Sequence, residues 1–237
     1  MRRMATPSTP RARSLPAPPQ RFGRQSSGHE VEEYIRLLIF NGHLRPGERV
    51  PQDAVAEVLD LSRIPVREGL IALERDGWVT IELNRGAFVA ALDEDAVRDS
   101  YELYGEIYGF ALRKAVERGG DELVPTLLDL EAGMRSIDDP AAFRDITLRF
   151  HSAVVQASRS PRVRVVLRSA RGLVGGNFFE EIPGAIAVER KGMAAIVRAL
   201  ARGDVERAAD EYRTMLTSQG GLVARVFAER GLFAADV

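Results

Sequence analysis

The sequence predicts a mainly α protein in two parts. Within residues 29–92, three short segments with helical apolar spacing precede two β-branched runs joined by a glycine turn. Beyond Asp93 only helical periodicity remains, broken by capping residues and prolines. The expected architecture is a winged helix-turn-helix at 29–92 followed by an all-α bundle of about six helices at 93–237. Residues 1–28 hold Pro7, Pro10, Pro16, Pro18 and Pro19 with little apolar content, and read as a disordered Arg- and Pro-rich tail.

Taken in order, EVEEYIRLLIFNGHL puts Val31, Ile35, Leu38 and Ile39 on one helical face, and Asn41-Gly42 ends that helix. LRPGERV turns at Pro46-Gly47, and QDAVAEVLDL is a short helix with Val55, Val58 and Leu59 inward. Ser62 to Arg75 forms a third helix. WVTIE and AFVAA are strands joined by LNRG. Asp93 can cap a long helix to about Arg118, and Asp121 the next, with Pro125 early in it. Asp139-Pro140 and Ser160-Pro161 each set a cap ahead of a proline at the first helical position. Two more helices run over about 185–202 and 204–230. GLVGGNFFEEIPG, residues 172–184, reads either as a bent helix or as a loop.

Composition excludes several functions. The 237 residues are 45% hydrophobic and contain no cysteine, which removes disulfides, thiolate metal sites and a cysteine nucleophile. No stretch approaches the roughly 18 apolar residues of a membrane span, and residues 1–28 lack the apolar segment of a secretory signal. A cytoplasmic protein without membrane attachment is expected. Net charge is −1, but residues 1–29 carry six arginines and no acid, whereas 30–92 carry seven basic and eleven acidic groups. A surface for nucleic acid must therefore come from local clustering.

The stretch LSRIPVREGL supplies such a cluster. With Ser62 as N-cap, Pro65 falls in the first helical turn, where a missing N–H costs little. Val66, Leu70 and Leu73 form the inward stripe, and Arg63 and Arg67 sit one turn apart on the flank. A helix start favours phosphate, and arginine matches guanine O6 and N7 bidentately. Pairing of these arginines with Glu68 or Glu74 on a plain surface helix is the alternative. Asn84-Arg85-Gly86 adds an arginine at the hairpin tip.

IRLLIFNGHLRPGERV, AVAEVLDLSRIPVREGLIALERDGWV and NRGAFVAAL together resemble the winged-helix domain of the GntR family of bacterial transcription regulators. The resemblance implies binding to a double-stranded DNA operator through Ser62, Arg63, Ile64, Pro65 and Arg67 on the recognition helix. Asn84, Arg85 and Gly86 would lie in the wing, and Arg45 in the preceding turn is counted with them. Gly69 departs from the family's usual alanine, and should loosen the helix by roughly 1 kcal/mol at most.

FRDITLRFHSAVVQASRSP and AIVRALARGDVERAADEYRTML resemble the FCD ligand-binding domain of the FadR subfamily. Many members hold a divalent metal through one aspartate and three histidines. Here only His151 stands at such a position; the others are Thr147, Met193 and Met215, a poor set for zinc or a hard cation. No metal and no other cofactor is expected. Where the family commonly has an arginine and a glutamate on the first helix, this chain has Tyr104 and Tyr108. Leu103, Ile107 and Phe110 line the opposite side, so that helix is expected to be buried on both faces. Tyr104, Tyr108, Thr147, His151, Met193 and Met215 form either the wall of a metal-independent effector pocket, less anionic than the family's usual, or simply core.

The expected function is a homodimeric, ligand-responsive regulator, a repressor by resemblance, on a pseudo-palindromic operator. The alternative is a regulator whose helical domain only dimerises, its pocket collapsed. An enzyme needs a nucleophile–base pair, a carboxylate dyad or a metal cluster; with no cysteine and one histidine in the helical part the supply is thin, and Glu180-Glu181 reads more simply as a solvated acidic pair.

Overall fold

The computed structural model describes residues 15–18, 26–169 and 178–233. Its first part is a three-helix unit with a hairpin: α1 (Ser27–Phe40), α2 (Gln52–Leu59), α3 (Arg63–Arg75), β1 (Val79–Glu82) and β2 (Gly86–Val89). The strands pair antiparallel, with Val79 opposite Val89 and Glu82 opposite Gly86. Segment 47–50 adds a third, irregular edge through Gly47 N–H to Val89 O and Val50 N–H to Ala87 O, both 2.8 Å. Val31, Ile35, Leu38, Val55, Val66, Leu70, Leu73 and Trp78 are all buried, so the helical spacing read from the sequence is the core. Ser62 sits at the N-cap in extended conformation, but its hydroxyl makes no cap bond, unlike the expectation.

Gly69 also behaves differently from the expectation of a loosened helix. α3 crosses α1 so closely that a Cβ at Gly69 would lie 2.7 Å from Val31 Cγ1 and 2.8 Å from the Gly28 carbonyl oxygen. Alanine gains about 1 kcal/mol of helix propensity but incurs overpacking of about 1–3 kcal/mol against backbone. Gly69→Ala is therefore expected to lower the thermal midpoint by a few degrees, rather than raise it, in a melt monitored by circular dichroism.

The second part comprises α4 (Glu94–Arg118), α5 (Leu123–Met134), α6 (Pro140–Ala157), α7 (Pro161–Ser169), α8 (Phe178–Glu181), α9 (Ala185–Leu200) and α10 (Val205–Glu229). Among the described residues this makes seven helices, the short α8 lying within the stretch that read as bent helix or loop; its residues 172–177 lie outside the described residues. Capping follows the sequence at α4, where Asp93 accepts from Asp95 and Ala96 N–H, and at α6, where Asp139 accepts from Ala142 N–H with Pro140 behind it. Ser160 likewise accepts from Val163 N–H. Asp121 does not cap α5: that helix starts at Leu123 behind Glu122, leaving Asp121 in the preceding turn.

Long α4 and α10 pack along each other, with α6 and α9 against them. Because these neighbours cover one side of α4, its other face is not buried as expected: Leu103 is 57% exposed and Phe110 46%. α10, about 37 Å long at 1.5 Å per residue, crosses from the helical core into the core of the first unit. Tyr212 and Met215 belong to the former; Val223, Ala224 and Phe227 share a cluster with α1, α3 and Trp78. Phe227 meets Phe40 edge-on at 5.7 Å and Trp78 at 6.3 Å. Arg230 lies 3.8 Å over the Phe40 ring, donates to the Phe40 carbonyl at 3.0 Å and pairs with Glu181 at 3.3 Å. After the helix, Leu92 N–H donates to Leu232 O. Part of the stretch read as tail is also held: Leu15 packs on this cluster and the Tyr34 hydroxyl donates to Pro16 O at 2.6 Å. The remainder of residues 1–25 lies outside the described residues.

Candidate functional site

The start of α3 stands clear of the core. Val66, Leu70 and Leu73 anchor its inner stripe, which leaves Ser62, Arg63, Ile64 and Arg67 exposed and Pro65 half-buried. Ile64, at 71% exposure, is an apolar side chain with no core to enter. Arg63 pairs with Asp53 of α2 at 2.9 Å, not with Glu68 or Glu74. Both groups are solvated, so this pair contributes little and yields readily to a phosphate or base. Arg67 has no ion-pair partner among the described residues. Glu74 is occupied elsewhere, accepting from Ile81 N–H at 2.8 Å.

At the hairpin tip Asn84 and Gly86 take positive φ, 60° and 108°. Asparagine and glycine tolerate that backbone best, which explains the Asn-Arg-Gly turn. Arg85 projects from it, ion-paired to Glu82 and 5.4 Å over Phe88. Arg45 is exposed in the turn before segment 47–50. Arg49 was missed by sequence reasoning. It is exposed and lies beside the tip, its Nε 2.9 Å from where a Cβ on Gly86 would stand. Its alternation with inward Val50 was the available signal. Arg45, Arg49, Arg63, Arg67 and Arg85 thus belong to the helix-turn-helix and wing, the arrangement that puts a helix start in a major groove and a wing beside it.

In the helical part, a cleft of about 600 Å³ opens between α4, α6 and α7. Leu148, Val155, Pro161 and Val165 give it apolar walls, and Tyr108, His151, Ser152, Gln156 and Arg164 its polar groups. Of the six residues expected to form a pocket, Tyr108 and His151 line this cleft. Met193, Met215 and Thr147 are instead buried in the helical core, with Met215 packed on Gly192. Tyr104 lies where the two apolar clusters meet.

Behind the cleft is a polar cluster that sequence reasoning did not find. His151 Nε2 lies 3.1 Å from Glu189 Oε1, and His151 Nδ1 lies 2.6 Å from the Tyr212 hydroxyl. Gln219 donates to Glu189 Oε2 at 2.9 Å and to Ala185 O at 3.0 Å. Tyr108 stacks on Tyr212, centroids 5.1 Å apart and planes parallel within 1°. Glu189 was hidden because it occupies an α9 face that only the fold identifies as interior.

Burial pushes the Tyr108 phenol up to about 12, with the Glu189 and Tyr104 charges adding to it. The same cause, burial, raises Tyr212 and Tyr101 well above the ordinary phenol value. All three therefore remain hydrogen-bond donors at working pH. An acid whose folded value is raised contributes nothing to pH dependence below about pH 10, where both states are protonated. Above it the unfolded chain releases protons that the folded chain retains, so stability falls. Urea unfolding is expected to give constant stability from pH 7 to 9. A loss of up to about 1.4 kcal/mol per phenol per pH unit is expected above pH 10.

The model of bacterial regulatory proteins of the gntR family matches residues 28–89, and that of the FCD domain matches residues 99–218, half of the chain. The chain is a GntR-family transcriptional regulator with an FCD domain. An uncharacterised HTH-type transcriptional regulator of Mycobacterium tuberculosis is 28% identical over 156 residues, 66% of this chain. That match spans 64% of the relative's own length. A solved GntR-type regulator from Rhodococcus is 26% identical, with a TM-score of 0.52 over 84% of this chain and 98% of that one. The E. coli McbR/YncC structure shares the fold at a TM-score of 0.56 and 19% identity, over 86% of this chain and 99% of its own.

A GntR-family FCD domain raises the question of a divalent metal, and the donors here do not fit one. Thr147 Oγ1 is buried without a partner, the two methionines are packed as core, and both nitrogens of His151 are engaged. Among the described residues no group of three histidine, aspartate or glutamate side chains could hold an ion. Nor is any described helix long and apolar enough to cross a membrane.

Proposed function

We propose that this GntR-family regulator is a homodimeric, ligand-responsive repressor that binds a pseudo-palindromic DNA operator. The observation that carries the reading is the start of α3. It is pinned by three buried side chains and presents Arg63, Ile64 and Arg67 to solvent, with no strong internal partner among the described residues. Ser62 and Pro65 complete that helix start, with Arg45, Asn84, Arg85 and Gly86 alongside. The apolar strip of Leu103 and Phe110 on α4 supports a second copy docking there. Two recognition helices would then address major grooves about 34 Å apart. A DNA-reading role fits a cytoplasmic protein, and no catalytic role is assigned to it.

The effector would occupy the cleft lined by Tyr108 and His151. Its lining is apolar for the larger part, which suits a relatively apolar ligand held without metal, and Arg164 stands among the lining residues where an acidic end of that ligand could pair. One observation favours the second reading, a helical domain that only dimerises: Met193, Met215 and Thr147 leave no space where they stand. The test is operator selection from genomic DNA, followed by affinity measured across salt concentration and a thermal-shift screen of metabolites. A logarithmic salt slope of several units and a ligand that releases the operator support the first reading. Operator binding without any ligand hit supports the second, and no sequence-selective binding defeats both.

A further inference from the structure

Glu189 is 2% exposed in the middle of a helical core. A carboxylate in that position costs several kcal/mol unless its oxygens are fully compensated. Here both are used. Oε1 takes His151 Nε2 from α6, and Oε2 takes Gln219 Nε2 from α10; Gln219 in turn ties back to Ala185 O at the start of α9. A carboxylate only accepts, so Nε2 carries the proton. In the neutral ring Nδ1 is then free to accept from the Tyr212 hydroxyl, also on α10. One anion thus joins three helices and fixes both the tautomer and the orientation of the imidazole on the cleft wall.

The placement relative to the missing metal ligands is specific. Thr147, Met193 and Met215 are the positions at which the donors fail, and with His151, the one that is kept, they lie on these same helices, α6, α9 and α10. Glu189 stands one helical turn before Met193, and Tyr212 and Gln219 stand on either side of Met215. We propose that Glu189 is the positioning residue of this domain: its carboxylate cross-links α6, α9 and α10 in the place where a metal ion does not fit, and holds His151 in its Nε2–H form at the cleft. This goes beyond the DNA reading and stands or falls separately from it, because none of its tests involves DNA or an effector.

The test uses the full chain, purified without added metal. Metal analysis is expected to find far less than one ion per chain, and excess EDTA to leave the melting temperature unchanged. Glu189→Ala is expected to lower that temperature by roughly 10 °C, as for removal of one partner of a buried pair. Glu189→Gln should lose less than half as much, and Glu206→Ala, an exposed control, essentially nothing. The readout that simple destabilisation would not move is the nitrogen-15 spectrum of His151. It should show a protonated Nε2 and an unprotonated Nδ1 in the native protein and in Glu189→Gln, and mixed forms in Glu189→Ala. Tyr212→Phe keeps the ring stacked on Tyr108 and should shift Nδ1 alone. If Glu189→Ala does not fold, the native spectrum, Glu189→Gln and Tyr212→Phe still decide. Stoichiometric metal with EDTA-sensitive melting, or a native His151 protonated on Nδ1, whether alone or together with Nε2, would overturn the proposal. So would a Glu189→Ala variant as stable as the control.

Discussion

Replacing Arg63 and Arg67 together by alanine is expected to weaken operator binding by between about 30-fold and about 20,000-fold, with folding unchanged. Each bidentate arginine–guanine contact is worth about 1–3 kcal/mol, and two of them give that range. Stability is spared because both side chains are exposed and the Arg63–Asp53 pair that is lost is solvated. Selectivity should fall too, non-specific DNA being less affected than the operator. Arg49→Ala is the useful contrast. Beside the wing it is suited to a phosphate, and its loss should weaken all sequences alike and lower the salt slope by about one. Fluorescence anisotropy at several salt concentrations separates the two cases. Equal losses on operator and random DNA from the double variant would exclude base reading by the start of α3.

The second large effect is structural. Arg36 is 1% exposed, with Asp76 at 2.7 Å, Glu33 at 3.3 Å, Glu32 at 3.9 Å and the Trp78 ring centroid at 6.0 Å. Arg36→Ala removes the cation, leaves the Asp76 carboxylate with only the longer 3.3 Å contact to Arg75 and empties the space the arginine stem fills. The expected cost is about 3–5 kcal/mol, a fall in melting temperature of roughly 6–20 °C for a chain of this size. Arg36→Met combined with Asp76→Leu removes both charges while keeping volume, and should recover much of the loss. If the double variant is no better than Arg36→Ala, packing rather than charge carries the contribution.

The first unit was nearly all legible in the sequence, because its core depends on local spacing and its turns on residues with specific backbone needs. Val66, Leu70 and Leu73 face inward as their period requires, and Asn84 and Gly86 take the positive φ their types permit. Misreadings arose wherever a distant partner decides. Leu103 and Phe110 resemble core by composition, yet they stand about half exposed while Ile107 of the same set packs on the helical core. Gly69 looks like a helix weakness until α1 is seen pressed against it. In the candidate cleft, Tyr108 and His151 were reachable from the sequence. Glu189, Tyr212 and Gln219 were not, since they meet only once α6, α9 and α10 are packed.

The path of α10 bears on how such regulators could be recombined. A chimera cut between the hairpin and α4 would look natural on the sequence, joining one protein's DNA reader to another's sensor. In this chain the reader's interior is completed by Phe227 and Leu232 and covered by Arg230, all from the far end of the sensor. A graft made at that single seam would exchange those three side chains unseen and leave Phe40 and Trp78 facing a foreign surface. A workable graft would carry residues 223–233 along with the reader, as a second, distant piece of the same cassette.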